Sequence, residues 1–443
     1  MGNNRKIHLI AIGGTGMGSL AGLLKEKGFE VSGSDHALYP PMSDQLADLK
    51  IPVFSGFRAE NIEKATPDLV VVGNAVSKNN EEVGEVERRK IPMLSMPQAL
   101  HQFFLKDRIS IVVAGTHGKT TTAGLLSWML ERLGFSPGFF VGGMLKNFGR
   151  SFQVGSGKYF VVEGDEYDTA FFDKGPKFLH YAPQILILNA VEFDHADIYR
   201  DLEHLLQSFR QLIALLPKDG LIVVDGENEN ARRLVQEAAC RVIAKNLSEA
   251  PSLKSPLMGR HNQKNLLAVV AVLQHLGVSL EKIQEALLEF QGVKRRQEIL
   301  ATVRGVTVID DFAHHPTAVR ETLLAIRTKY PRGRLWAIFE PRSNTTRRKV
   351  FQEEFARAFD SADKIIIAGV YLAEKIPEGE RLDPAYLAAE IQARGQEAAF
   401  LPMVDDIVVK ISQEVKNGDI VCLMSNGAFS GIHQKIVKKL SEL

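Results

Sequence analysis

Short apolar runs alternate with amphipathic stretches along nearly the whole chain. Such runs, bounded by glycine or polar turns, are typical of strands buried on both faces of a parallel sheet. Helical periodicity falls between them, for example at residues 202–216 and 279–290. The alternation predicts an α/β fold. The predicted strands are residues 7–12, 29–32, 69–73, 111–113, 159–162, 184–188, 221–224, 306–309, 335–339, 364–368 and 419–424.

Length and composition narrow the class of protein. A chain of 443 residues is too long for a single core, so we expect roughly two to four domains. The net charge of +1 gives no support for a nucleic-acid or anionic-membrane partner. Cys240 and Cys422 lie in apolar surroundings, which favours buried thiols in a reducing compartment. No apolar run reaches the ~18–20 residues that span a bilayer, and no signal-peptide pattern is visible, so we expect a cytoplasmic protein without membrane insertion.

A glycine-bounded turn follows the predicted strand at residues 111–113 and leads into a helix predicted over residues 123–133. Backbone N–H groups of such a turn, with the positive end of the helix, bind phosphates. Lys119 is placed to reach terminal phosphates, and the Thr120 hydroxyl to hold Mg²⁺. Val113 stands where the strict phosphate-loop pattern has glycine, so a simple packing corner is the alternative. The residues of the turn and helix start are Gly115, Thr116, His117, Gly118, Lys119, Thr120 and Thr121.

A second glycine-rich turn follows the first strand and precedes a helix predicted over residues 19–27. With the strand at residues 29–32 and Asp35, it forms a βαβ unit similar to the dinucleotide fingerprint. Any ligand with a diphosphate could use this turn, and a turn that only packs is the alternative. Ser77 follows the strand at residues 69–73, at the end where ligands gather in open α/β sheets. The turn consists of Gly13, Gly14, Thr15, Gly16, Met17 and Gly18.

Two further strand ends carry candidate metal ligands. Glu163 ends the run at residues 159–162, where the Mg²⁺ of a nucleotide needs an oxygen ligand. His195 follows the run at residues 184–188 and is flanked by Asp194 and Asp197, an arrangement of ligand and orienting carboxylates. A solvated acidic turn and a structural histidine are the respective alternatives.

Later in the chain, Asn262 and Asn265 are three residues apart and share one helix face. Two carboxamides on one face could recognise a purine edge, whereas N-capping by Asn262 is the alternative. Arg296 follows Gly292, where it could reach phosphates or simply face solvent. Asp311 ends the strand at residues 306–309, and further polar residues follow the later strands.

Taken in order, these motifs resemble the Mur ligase family over essentially the whole chain. The resemblance implies three α/β domains: a Rossmann-like UDP-binding domain at residues 1–107, a central P-loop ATPase-like domain at 108–292, and a C-terminal Rossmann-like domain at 293–443. The matching motifs are residues 115–122, Glu163, Asp194 with His195, residues 259–262, Arg295 with Arg296, and Asp310 with Asp311 ahead of residues 314–316.

The resemblance also implies an ATP-dependent enzyme. It would join the tripeptide L-alanyl-γ-D-glutamyl-meso-diaminopimelate to UDP-N-acetylmuramate in peptidoglycan recycling, through an acyl phosphate. The alternative within the family is addition of L-alanine. Phe312 and Ala313 favour the tripeptide, because the alanine-adding members usually have Tyr-Gly there. Stretches at residues 39–43, 166–174, 311–317, 340–345 and 424–435 agree.

The family likeness implies a role for each candidate residue. Lys119, Glu163, His195, Arg296 and Asp311 would be catalytic, and Thr120, Glu163 and His195 would hold Mg²⁺. Asn262 and Asn265 would bind adenine, and Arg296 and Asp311 would reach ATP when the third domain closes. Residues 13–18, with Asp35 and Ser77, would bind the UDP-sugar. Arg342 has the planar fork that suits a carboxylate, and the peptide site would comprise Arg342, Ser343, Asn344, Ser425 and Asn426.

Two alternative functions belong to other classes of protein. The first βαβ unit taken alone would fit a nicotinamide-dependent oxidoreductase. A nucleotide-binding regulator without catalysis would account for the phosphate turn, but not for Glu163 and His195.

Overall fold

The computed structural model describes residues 5–38 and 42–442, so Tyr39, Pro40 and Pro41 of the family-like stretch lie outside the described residues. The chain divides into two compact units. Unit 1 comprises Met1–Glu192, Glu203–Lys254 and Leu266–Phe290, and unit 2 comprises Phe193–Leu202, Ser255–Asn265 and Gln291–Leu443. Among the described helices, none is long and apolar enough to cross a membrane.

The first sheet of unit 1 is five-stranded and parallel, in the order β3-β2-β1-β4-β5. Its central strand is buried apart from Lys6 at its start, and the neighbouring strand at residues 69–72 is buried throughout, as is typical of parallel strands covered on both faces. The strands are β1 (Lys6–Ile10), β2 (Glu30–Asp35), β3 (Val53–Ser55), β4 (Leu69–Val72) and β5 (Met93–Ser95). The helices are α1 (Thr15–Glu26), α2 (Met42–Asp48), α3 (Ala59–Ala65), α4 (Glu81–Arg88) and α5 (Met96–Leu100), followed by a π-helical turn at His101–Leu105.

The second sheet of unit 1 is seven-stranded, in the order β14-β13-β12-β6-β9-β7-β8, and a short hairpin of β10 and β11 stands apart. All neighbours are parallel except β7 and β8. The strands are β6 (Ile109–Ala114), β7 (Gly138–Leu145), β8 (Arg150–Gln153), β9 (Tyr159–Gly164), β10 (Asp168–Ala170), β11 (Asp173–Pro176), β12 (Ile185–Leu188), β13 (Leu221–Asp225) and β14 (Arg241–Lys245). The helices in this part of the chain are α6 (Lys119–Arg132), α7 (Leu202–Ala214), α8 (Glu229–Leu234), α9 (Arg260–His275) and α10 (Leu280–Leu288).

Unit 2 contains a six-stranded sheet in the order β15-β16-β20-β17-β18-β19, with only β15 antiparallel to its neighbour. Successive strand residues point to opposite faces, so Ala337 joins one apolar layer and Trp336 and Ile338 the other. The strands are β15 (Glu298–Val303), β16 (Val306–Asp311), β17 (Leu335–Phe339), β18 (Lys364–Ile367), β19 (Glu397–Phe400) and β20 (Ile420–Met424). The helices are α11 (Pro316–Lys329), α12 (Gln352–Ala358), α13 (Pro384–Ala393), α14 (Val404–Glu414) and α15 (Ile432–Ser441).

The α/β fold with parallel sheets is confirmed, and each predicted strand has a counterpart within a few residues. Two helix starts were wrong, because α1 begins at Thr15 and α6 at Lys119, inside the glycine-rich turns. Gly18 N–H donates to Gly14 O at 2.8 Å, which closes the first turn of α1. The expectation for the cysteines holds for Cys422, which is buried, but Cys240 is partly exposed.

Candidate active site

The predicted phosphate-binding turn, residues 115–118, joins the end of β6 to the start of α6, and hydrogen bonds to the segment that follows β12 fix its shape. Gly115 has φ +124°, and a Cβ added there would lie 3.0 Å from the Cβ of Asn189. Thr116 N–H donates to Ala190 O at 2.8 Å, and its hydroxyl to Glu192 O at 2.8 Å. Gly118, at φ +78°, caps a helix whose first-turn N–H groups end at this turn. The predicted residues therefore form one structured turn at the amino end of α6.

Lys119 uses all three of its N–H donors inside unit 1. Its Nζ donates to Gly115 O at 2.7 Å and to the two carboxylate oxygens of Glu166 at 3.2 and 2.9 Å. Burial lowers the pKa of Lys119, but the charges of Glu166 and nearby carboxylates outweigh it and raise the pKa. Lys119 is therefore a fixed cation at the turn. Sequence reasoning missed Glu166, although it lies in the same acidic stretch as Glu163.

Thr120 and Glu163 bring two oxygen atoms together beside Lys119. The Thr120 hydroxyl donates to Glu163 Oε2 at 3.1 Å, and Gly142 N–H donates to Oε1 at 2.5 Å. Both side chains are buried, on the adjacent elements α6 and β9. A hydroxyl and a carboxylate are the hard oxygen donors that Mg²⁺ prefers, so this pair fits the predicted metal. Nearby, His117 Nε2 lies 3.2 Å from Glu192 Oε2, and Thr121 is buried in the first turn of α6.

The first glycine turn, in the other sheet of unit 1, is organised by Asp35. One carboxylate oxygen of Asp35 accepts from Gly13 N–H at 2.8 Å, and the other from His36 N–H at 2.7 Å. The turn residues differ in access: Gly14 and Thr15 are exposed, Gly13 and Gly16 are partly exposed, and Met17 and Gly18 are buried in α1. Ser77 is exposed beyond β4. The structure thus brings Asp35 to the turn, where its carboxylate holds the backbone. Diphosphate binding by these residues stays a prediction.

His195 belongs to unit 2, on the segment Phe193–Leu202. Its φ is +56°, and its N–H donates to Asp194 Oδ1 at 2.7 Å. Burial raises the pKa of the Asp194 carboxyl, but His195, His314 and His315 hold it well below its usual range. Asp194 therefore lies beside His195, as predicted, and stays ionised. The second predicted partner, Asp197, accepts a hydrogen bond from Asn344 Nδ2 at 2.8 Å.

Asn262 and Asn265 are buried on one face of α9 in unit 2 and contact each other, with Asn265 Nδ2 3.1 Å from Asn262 Oδ1. Asn262 Nδ2 donates to Met258 O at 2.8 Å and to Gln297 Oε1 at 3.2 Å. The shared face is confirmed. The N-cap alternative is wrong, because α9 begins at Arg260 and Asn262 lies within its first turn.

Asp311 ends β16 and is buried beneath the loop that carries Arg295 and Arg296. Its two carboxylate oxygens accept from Gln297 N–H and Ala313 N–H, each at 2.7 Å. Burial raises the pKa of Asp311, and the nearby Arg296 opposes this only in part. Arg296 lies over the Phe312 ring, 4.6 Å from its centroid. Arg296 and Asp311 are therefore close neighbours in unit 2.

The five residues predicted for the peptide follow two neighbouring strands, β17 and β20, in unit 2. Buried Glu340 joins the two loops: it accepts from the Ser425 hydroxyl at 2.5 Å and pairs with Arg342 Nη1 at 3.5 Å. The Ser343 hydroxyl contacts Thr346 at 2.9 Å, and Asn426 lies next to Ser425 with its Oδ1 buried. The structure thus brings the predicted residues to one edge of the sheet.

Sequence reasoning missed three residues at this edge: Glu340, Arg347 and Tyr371. Glu340 and Tyr371 follow the strands β17 and β18, so the rule that sites gather at the carboxyl ends of parallel strands could have found them. Arg347 is buried in a loop, and no sequence pattern sets it apart from its neighbour Arg348.

Among the described residues, three large sheets, with a lysine-bearing glycine turn at the carboxyl end of the central parallel strand β6, define an α/β protein of the P-loop type. Three family models match the chain in sequence. They are described as Mur ligase family, catalytic domain, at residues 6–108, Mur ligase middle domain at 113–253, and Mur ligase, glutamate ligase domain, at 295–427. The chain belongs to the Mur ligase family. This gives no support to a nicotinamide-dependent oxidoreductase.

Several relatives align with nearly the whole length of this chain. The UDP-N-acetylmuramate–L-alanyl-γ-D-glutamyl-meso-2,6-diaminoheptandioate ligase of Escherichia coli strain K12 is 39% identical over 99% of this chain and 98% of its own length. The crystal structure of a murein peptide ligase from Psychrobacter arcticus is 33% identical with a TM-score of 0.74, covering 99% of both chains. The UDP-N-acetylmuramate–alanine ligase of Thermotoga maritima is 25% identical with a TM-score of 0.80, also covering 99% of both chains.

Proposed function

We propose that this chain is an ATP-dependent ligase that joins L-alanyl-γ-D-glutamyl-meso-diaminopimelate to UDP-N-acetylmuramate through an amide bond. One observation supports the proposal: Lys119 and the hydrogen-bonded Thr120–Glu163 pair lie together at the glycine turn that begins α6, in a chain 39% identical to a ligase of that name. The product would return a recycled peptide to peptidoglycan synthesis.

The chemistry has to make a carboxylate reactive. A carboxylate oxygen of the muramoyl group attacks the γ-phosphorus of ATP, the bond to ADP breaks, and an acyl phosphate forms. The terminal amine of the tripeptide then attacks the acyl carbon, inorganic phosphate leaves, and the amine loses a proton. Phosphoryl transfer of this kind depends on position and charge neutralisation, which the Lys119 ammonium supplies at the turn.

Thr120 and Glu163 are the residues of unit 1 that would hold Mg²⁺. When bound, Mg²⁺ withdraws charge from the phosphate oxygens. The roles of His195 as a second metal ligand, of Asn262 and Asn265 toward adenine, and of Arg296 and Asp311 toward ATP remain predictions from the sequence. Residues 13–18, with Asp35 and Ser77, are proposed to bind the UDP diphosphate.

At the edge of the third sheet, Arg342 is proposed to bind a carboxylate of the tripeptide. Its guanidinium is partly exposed, while Glu340 and Ser425 behind it are buried. A planar guanidinium with an accessible edge can donate two parallel hydrogen bonds to a carboxylate. Ser343 and Asn426 are proposed to bind other polar groups of the peptide, and Asn344 to hold the loop.

L-Alanine is the second candidate amine. The observation in its favour is the TM-score of 0.80 with the Thermotoga maritima alanine ligase. Sequence identity favours the tripeptide, because 39% to the Escherichia coli tripeptide ligase exceeds 33% to an L-alanine ligase that is also matched over the whole chain. We give identity more weight, because members of one family share a fold and differ in the residues that contact substrate.

The test is product formation by the purified chain with ATP, Mg²⁺, UDP-N-acetylmuramate and the tripeptide, followed by mass spectrometry. We expect one ADP for each amide formed, and no product when any reactant is omitted. Lys119→Ala should lower kcat/KM by at least about 10³-fold, because the phosphate charge loses its fixed partner. The exposed Lys158 provides the control, and Lys158→Ala should retain activity. Full turnover by Lys119→Ala would refute the site.

A further inference from the structure

The Arg342 guanidinium is held on two sides by groups that sequence reasoning missed. Its Cζ lies 3.7 Å from the centroid of the Tyr371 ring, a stacked cation–π contact. One edge pairs with Glu340, whose carboxylate is anchored by the buried Ser425 hydroxyl. Because the Arg342 guanidinium is stacked on one face and paired along one edge, the Arg342 side chain has few rotamers available. It therefore loses little entropy when its other edge binds a ligand.

Tyr371 is in turn attached to the loop that carries Arg342. Its N–H donates to Pro341 O at 3.0 Å, and its carbonyl accepts from Arg347 Nη1 at 3.3 Å. Arg347 is buried, with 9% of its surface exposed, and its Nη2 donates to Asn344 Oδ1 at 2.5 Å. Arg347 thus joins the loop after β17 to the loop after β18. Asn344 uses its Oδ1 on Arg347 and its Nδ2 on Asp197, so its amide serves the loop.

We propose that Tyr371 and Arg347 are positioning residues for Arg342, and through it for a carboxylate of the amine substrate. The Tyr371 ring supplies the surface on which the Arg342 guanidinium lies. Arg347 binds the backbone carbonyl of Tyr371 and so holds the ring against that guanidinium. This inference rests on the proposed function, because it requires a substrate that carries both an amine and a carboxylate. All of the contacts that support it lie within unit 2.

The first test replaces the ring of Tyr371. Tyr371→Leu should raise the KM for the tripeptide about tenfold, the size expected from the loss of one cation–π contact. The KM values for ATP and UDP-N-acetylmuramate should stay unchanged, which a general loss of structure would not produce. Tyr371→Phe keeps the ring and should restore the KM. Because 38% of Tyr371 is exposed, these variants should fold, and Tyr386→Leu, at a tyrosine 53% exposed, is the matched control.

The second test asks whether Arg347 and Tyr371 act through Arg342. Arg347→Gln should raise the tripeptide KM, whereas Arg348→Gln, which removes the neighbouring arginine paired with Glu380, should not. In an Arg342→Ala background, Tyr371→Leu should add no further loss, because the group that it positions is absent.

Two results would overturn the inference while leaving the ligase intact. One is an unchanged tripeptide KM in Tyr371→Leu, and the other is a full additional loss in the Arg342→Ala background. Absence of any turnover of the tripeptide by the wild-type chain would overturn both this inference and the proposed function.

Discussion

Two bases of unit 1, the buried His8 and the largely buried Lys119, are held in opposite protonation states by their neighbours. The Glu166 carboxylate lies against Lys119 and keeps it charged. His8 contacts Ser32 Oγ through Nδ1 at 2.9 Å, and its Nε2 is 4.0 Å from Glu82. The Glu82 carboxylate is already engaged by hydroxyl and amide donors, and its own pKa is raised by burial. Burial therefore prevails at His8 and lowers its pKa to about 4.

The pKa of His8 predicts an acid-sensitive first sheet. The folded pKa of about 4 lies below the ordinary value of 6.5, so folding favours the neutral ring. This contribution to stability is complete above pH 6.5 and is lost as the pH falls toward 4, by about 3 kcal/mol in all. Thermal unfolding measured from pH 7 to pH 4.5 should show a steeper loss for the wild type than for His8→Leu. Identical pH profiles for the two proteins would contradict this.

At the scale of secondary-structure elements, the positions of strands are predicted most accurately from the sequence where a strand is buried on both faces. The strands β6, β9, β16, β17 and β20 are continuous apolar runs, and the candidate residues stand at their carboxyl ends. In the three large sheets, the edge strands β3, β5, β8, β14, β15 and β19 were not predicted, because their exposed or half-buried residues give no long apolar run. The interior strand β7 was also missed, because Gly142 and Gly143 interrupt its apolar residues.

Contacts between distant loops set the limit for predicting the site. The two members of the Lys119–Glu166 pair are 47 residues apart in sequence, and those of the Arg347–Tyr371 contact are 24 apart. A local sequence pattern therefore predicts neither contact. The early start of α6 has the same origin. Its glycine and threonine residues are poor helix formers, and bonds from the turn to Ala190 and Glu192 fix the helix start instead.

The conformation of the phosphate turn gives a prediction at this scale. Gly115→Ala places a Cβ in a backbone conformation that side chains disfavour, with Asn189 and Ala190 atoms at 3.0–3.1 Å. The turn must shift, so the dissociation constant for ATP, measured by calorimetry, should rise at least about tenfold. Gly84→Ala in α4, where a Cβ meets nothing within 4 Å, is the control. Unchanged ATP affinity in Gly115→Ala would show that the turn does not hold the nucleotide.

At the scale of the whole chain, the segment that carries His195 is built into unit 2. His315 Nε2 lies 3.2 Å from Phe193 O, and Asn344 donates to Asp197 at 2.8 Å. The Phe193 and Phe351 rings are 6.5 Å apart at their centroids. A linear division at residues 107 and 292 assigns this segment to the central domain, because sequence order does not show which sheet a loop packs on. The three-domain boundaries remain a prediction.

The most direct measurement is a competition between the two amines in one reaction. The chain is given equal concentrations of the tripeptide and L-alanine with limiting ATP and UDP-N-acetylmuramate, and the two products are quantified by mass spectrometry. We predict that the tripeptide product exceeds the alanine product by at least about a hundredfold, a ratio that several specific contacts can supply. A predominance of the alanine product would contradict the proposed function.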